Sequence, residues 1–193
     1  MYLLLYLLII YLIINYFQNT KRYYDFYPTI EIYPDNNKEL DIVKKFVDKR
    51  HNDTIFGKNT FAQFFRKTDT SIAYAFLPYV TESLEYLNNM IDHTFLEIYL
   101  LKIFFNRIRP FQLDRYLNSL GKCNLQSLNH LPSYPSGHAY QAYFLSKQLT
   151  KKYPNKKKLF DFIAYKCDLI RVYGGVNYPS DGKLAKSLVN LFY

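Results

Sequence analysis

Residues 135–149 read PSGHAYQAYFLSKQL, and this stretch decides the fold. Serine caps helices and glycine lets another group approach the backbone closely, so Ser136-Gly137 reads as a helix start. His138, Ala142, Leu145 and Leu149 then recur at helical spacing along one face. A polar group thus heads an apolar stripe, and the same oddity occurs twice more. Thr81 to Asn106 reads as one long helix with the stripe Leu84, Leu87, Ile91, Phe95, Ile98 and Phe105, and Lys102 falls on it. From about Lys157 to Tyr173 the stripe is Phe160, Ala164 and Cys167, and it ends on Arg171. A cation on a buried face is costly unless it meets an anion. For Lys102 the plainer alternative is a lysine snorkelling near a helix end.

Outward from these stretches the pattern stays helical. Leu40, Val43, Phe46 and Val47 share a face from Glu39 to about Arg50, and a short segment covers about Thr60 to Arg66. Ser71 to Phe76 is ambiguous, and residues 111–134 read as a loop. Gly174 and Gly175 stop the Arg171 helix, Tyr178-Pro179-Ser180 turns the chain, and Asp181 opens a last helix bearing Leu184, Leu188 and Phe192. With no strand-helix alternation and no repeat, the expectation is an all-α helical bundle. Its expected parts are a hydrophobic helix at 1–17, a linker or arm at 18–36, and the domain at 37–193.

The chain has 193 residues, of which 49% are hydrophobic, enough to bury a core and to exclude wholesale disorder. Tyr 21 and Phe 16 against Trp 0 make aromatic bulk the main filler. The net charge of +9 favours anionic partners. Part of it lies in Lys151, Lys152, Lys156, Lys157 and Lys158, a solvated turn or an attraction to an anionic membrane surface. No recognition motif supports nucleic acid. Cys123 and Cys167 make neither a disulfide framework nor a zinc site, and no carboxylate cluster calls for a divalent metal or other cofactor. Asn52-Asp53-Thr54 is a glycosylation sequon that matters only in a secretory lumen.

Met1 to Phe17 reads MYLLLYLLIIYLIINYF, with Asn15 its only strongly polar residue. As a helix it spans ~25 Å against a hydrocarbon core of ~30 Å. No basic n-region precedes it and no small-x-small site follows, so the favoured reading is an uncleaved single-pass anchor. A cleaved signal peptide and a buried helix are the alternatives. Lys21 and Arg22 lie beyond it, which by the positive-inside rule keeps the domain cytoplasmic, though the side of the membrane is weakly determined.

Three polar clusters carry the chemistry: Lys102 to Pro110 (KIFFNRIRP), Pro135 to His138 (PSGH), and Arg171 to Asp181 (RVYGGVNYPSD). Arg109 and Arg171 each offer paired N–H donors to a phosphate, and Lys102 adds a compact charge. Pro110 holds Arg109 extended. Ser136 caps a helix whose first amides, at Gly137 and His138, face outward with the positive end of the dipole. His138 is placed to protonate a leaving group.

The set resembles the type 2 phosphatidic acid phosphatase superfamily, which includes bacterial class A acid phosphatases and vanadium haloperoxidases. That pattern is Lys, six residues, Arg-Pro; Pro-Ser-Gly-His; then Ser-Arg, five residues, His, three residues, Asp. Lys102, Arg109 and Pro110 match the first part, Pro135 to His138 the second, and Arg171 and Asp181 the third. The resemblance covers about residues 80 to 190 and implies that family's helical bundle. It departs twice. Ile170 stands where the family has serine, and Asn177 stands where it has the histidine that attacks phosphorus. An amide lacks the reactive ring nitrogen. His130 has no evident reason to substitute for it.

Together with the apolar segment 1–17, the resemblance implies a membrane-tethered protein whose pocket (Lys102, Arg109, Ser136, Gly137, Arg171) binds phosphate, a phosphorylated small molecule or a lipid head group. His138 and Asp181 remain from the catalytic set, and hydrolysis is lost or strongly reduced at Asn177. Two readings stay open beside it: an active phosphatase using His138 with water or another nucleophile, and an interaction protein with a vestigial pocket.

Overall fold

The structure, a computed structural model, describes residues 33–50, 52, 54–56, 60–120 and 131–193. It is all-α, with no strand among the described residues. The helices are α1 (Asn36–Lys49), α2 (Phe61–Thr70), α3 (Ala73–Phe76), α4 (Leu84–Asp92), α5 (Phe95–Phe105), α6 (Pro110–Leu113), α7 (Arg115–Leu120), α8 (Gly137–Lys152), α9 (Lys157–Tyr173) and α10 (Pro179–Phe192).

The centre is the pair α8 and α9, joined by a short 3₁₀ turn at Pro154–Lys156. Ala139, Ala142 and Leu145 of α8 meet Phe160, Ala164, Cys167 and Ile170 of α9, all fully buried. Four of those seven side chains are Ala or Cys, which lets the helices approach closely. α10 packs on α8 through Ala185 and Val189. α1 and α2 cover α9 from the other side, where Phe56, Phe64 and Tyr173 stack edge and face at 5.3–5.5 Å between ring centroids. A smaller cluster of Leu40, Val43, Val47, Leu117, Val172 and Tyr178 closes the lower end. The lysine run lies at the α8–α9 turn and is largely engaged. Lys152 pairs with Glu82 at 2.5 Å, Lys156 donates to Tyr79 O at 2.8 Å, and Lys157 pairs with Asp161 at 2.5 Å.

Two expectations are corrected. The long helix over Thr81 to Asn106 is two helices, broken at His93 and Thr94. Thr94 Oγ1 donates to Ile91 O at 2.7 Å and His93 Nδ1 lies 2.6 Å from Asn89 O, so two side chains compete for the carbonyls that end α4. The expected loop at 111–134 carries α6 and α7 in its first part, with Pro110 in the first turn of α6. The apolar segment 1–17, most of the arm, His51, Cys123 and His130 lie outside the described residues.

Candidate functional site

Helix α5 ends because Asn106 takes the left-handed conformation (φ 44), which asparagine tolerates better than most residues. The chain then runs extended, so Arg107 and Arg109 are both swallowed, at 0% and 2% exposure. Helix α8 starts at Ser136, whose Oγ accepts from Ala139 N at 3.3 Å. The first intrahelical bond is Tyr140 N to Ser136 O, which leaves the N–H groups of Gly137 and His138 as first-turn donors. A Cβ on Gly137 would sit 3.3 Å from Ile98 Cγ2 and 3.6 Å from Lys102 Cε, so glycine is what lets α8 seat against α5. After α9, Gly175 takes φ 68, and the turn presents Asn177.

Lys102, Arg109, Gly137, His138, Arg171 and Asn177 line one cavity of ≈ 130 Å³, walled on one side by Phe95, Ile98, Tyr99 and Leu131. That is well above what a single water needs and leaves room for one tetrahedral oxyanion. Ser136 does not line it, being buried as the cap of α8. Asp181 lies behind Asn177, fully buried.

The cations are not bare. Lys102 Nζ donates to Pro132 O at 2.7 Å, Ser133 O at 3.2 Å and Pro135 O at 2.7 Å. Burial, with Arg109 and Arg171 close by, pulls its pKa well below the ordinary value. Yet three acceptors call for three N–H groups, so this is the geometry of the charged ammonium. Arg109 donates from Nε to Leu131 O (2.8 Å), from Nη1 to Val176 O (2.8 Å) and from Nη2 to Pro132 O (3.4 Å). The sequence reading has Arg109 bonding an anion directly and Lys102 adding a compact charge. In the structure they brace segment 131–135 and supply their charge to the cavity from behind those bonds.

Asn177 Nδ2 donates to Asp181 Oδ2 at 2.8 Å and to Ser133 O at 2.9 Å. Both amide protons are thereby spent, and Oδ1 is the polar atom left over. Asp181 also accepts from Tyr178 N through Oδ2 (2.9 Å) and from Arg107 Nη1 through Oδ1 (2.7 Å). With three bonds the carboxylate is held in place and fixes the orientation of residue 177.

Two groups escape the sequence reading. Arg107 donates to Asp181, Glu39 (2.7 Å), Ser180 (2.6 Å) and Asn36 (2.8 Å), and lies 3.9 Å from the Tyr178 ring centroid. Its signal is present in KIFFNRIRP, two residues before Arg109 in a segment too short to be helical. Asp69, on the last turn of α2, pairs with Arg171 at 2.9 Å and stands 3.6 Å from His138 Nε2. A lone aspartate a hundred residues away carries no signal. Burial acts to raise the Asp69 pKa, but His138 and Arg171 outweigh it and hold it at about 2. Burial and the Arg171 cation push His138 down to about 4, against the pull of Asp69. His138 is therefore neutral near pH 7, and an anion in the cavity is what would charge it.

The chain matches no family model, and no curated protein matches it.

Proposed function

We propose that this chain is a membrane-tethered protein of the type 2 phosphatidic acid phosphatase kind, with the helical bundle of the acid phosphatases and haloperoxidases. Its cavity binds phosphate or a phosphorylated small molecule or head group, and Asn177 removes most or all hydrolysis. The tether is residues 1–17, read from their apolar sequence; no helix among the described residues is long and apolar enough to cross a membrane.

One observation carries this reading. Side chains from three distant stretches, with Lys102 and Arg109 in the first, His138 in the second and Arg171 and Asn177 in the third, meet at one small cavity. Lys102, Arg109 and Arg171 are all buried beside this one space, and their summed charge, only part of it offset by Asp69, favours an anion entering it. Asn177 keeps the hydrogen bond to Asp181 that an imidazole N–H would make, but brings no nucleophilic nitrogen to the cavity.

A second reading, hydrolysis by a water with His138 as the acid, is favoured by the Asp69–His138 pair. Asp181 is fully enclosed, so Asn177 alone would hold that water.

Calorimetry tests the reading. Phosphate and vanadate give saturable heat with the parent chain and little with Arg171→Gln. No heat from either anion leaves only the vestigial pocket.

A further inference from the structure

Helix α5 reads FLEIYLLKIFF and is apolar on every side, yet only Ile98 and Lys102 of it are buried. A helix on a water-facing surface carries polar residues outside. α5 instead turns Phe95, Leu96 and Phe104 outward, at 61%, 45% and 54% exposure. Leu96, Leu100, Ile103 and Phe104 fall on one stripe by helical spacing. The helix has two charges, and of these only Glu97 borders this face, three residues before Leu100 and seven before Phe104. Lys102 is buried against the 132–135 carbonyls, and Glu97 accepts from Tyr193 Oη at 3.0 Å.

The chain's point of entry lies near this face. Tyr33, the first described residue, lies 5.7 Å from the Tyr134 ring, which lies 4.9 Å from Phe105 at the end of α5. The apolar segment 1–17 is thus joined to the foot of α5 by residues 18–32 alone. Fifteen residues reach ~50 Å at most, and α5 is ~16 Å long, so a bilayer holding 1–17 is within reach of the whole exposed stripe.

We propose that the outer face of α5 docks in the interfacial layer of the lipid bilayer that holds residues 1–17. The helix lies on the membrane without crossing it, its Leu and Phe side chains among the upper acyl chains. Phe95 and Tyr99, stacked at 6.1 Å, form the wall between that layer and the cavity. The proposal rests on the tether of the functional reading and is independent of whether the cavity binds phosphate.

The absence of tryptophan makes the test direct. Phe104→Trp and Leu96→Trp each give one emitter in the full chain, reconstituted in phosphatidylcholine vesicles with or without brominated acyl chains. Phe162→Trp, on the 49% exposed side chain of α9, reports a face in water. Tyr11→Trp reports the tether. The expected result is blue-shifted emission at 104 and 96, with most of it lost to the bromines, and neither effect at 162. The proposal is overturned if 104 and 96 are quenched no more than 162, whether or not 11 is quenched. It is equally overturned if they are blue-shifted but unquenched, since protein then covers the face. Phosphate calorimetry on the same vesicles reads the cavity separately, so the two claims can fail independently.

Discussion

Arg107 and Asp181 meet at 2.7 Å with both side chains fully shut off from solvent. The pair joins the segment after α5 to the first turn of α10, and Asp181 in turn holds Asn177. Removing one member of such a pair strands the other charge in the core. Arg107→Ala is expected to cost about 3–5 kcal/mol of unfolding free energy. Urea unfolding reads it, and a loss below about 1 kcal/mol, the scale of an exposed pair, contradicts the assignment.

Asp69 acts on the cavity through His138 and Arg171. Neutralising it removes the one nearby group that pulls the His138 pKa upward. In Asp69→Asn the imidazole is expected to titrate below the parent's value of about 4, followed by the histidine ring protons in NMR. An unmoved midpoint means that the Asp69–His138 approach is incidental.

Two half-buried groups give pH dependences of opposite sign. His138 binds its proton near pH 6.5 when unfolded and only near about 4 when folded. The unfolded state therefore holds more protons between those values, and its protonation erodes stability as pH falls through that window. His138→Gln is expected to gain up to about 3 kcal/mol on the parent between pH 6.5 and 4. Asp168 runs the other way. Burial raises it to about 7, against the Tyr143 hydrogen bond, so the parent loses stability as pH rises from about 4 to 7. Asp168→Asn is expected to gain up to about 4 kcal/mol over that interval. Denaturant titrations at several pH values check both, and parallel curves for parent and variant contradict them.

The helices were legible wherever one face alone is buried. The stripes through His138, Leu145 and Leu149, and through Phe160, Cys167 and Arg171, are read off spacing alone, because packing enforces that spacing. The break at Thr94 was not legible, since Leu87, Ile91, Phe95 and Ile98 keep period across it and only side-chain bonds to carbonyls end α4. The cavity's lining was legible in part. Six residues singled out in the three clusters face it, but the use of Lys102 and Arg109 as braces was not foreseen. A sequence shows a buried cation without showing which carbonyls reach it. Asp69 was invisible for the same reason, because its role exists only once α2 lies beside α8 and α9.

The central proposal is that the cavity has an anion site and an acid of the phosphatase kind without the nucleophile. It is tested most directly by assaying a generic phosphomonoester with the parent chain and with Asn177→His. Loss of a covalent nucleophile costs on the order of 10⁶ in turnover. The account predicts no measurable turnover in the parent and clear turnover in Asn177→His, abolished again by adding His138→Ala. Parental turnover equal to that of Asn177→His, or a well-folded Asn177→His chain that binds phosphate and hydrolyses nothing, contradicts it.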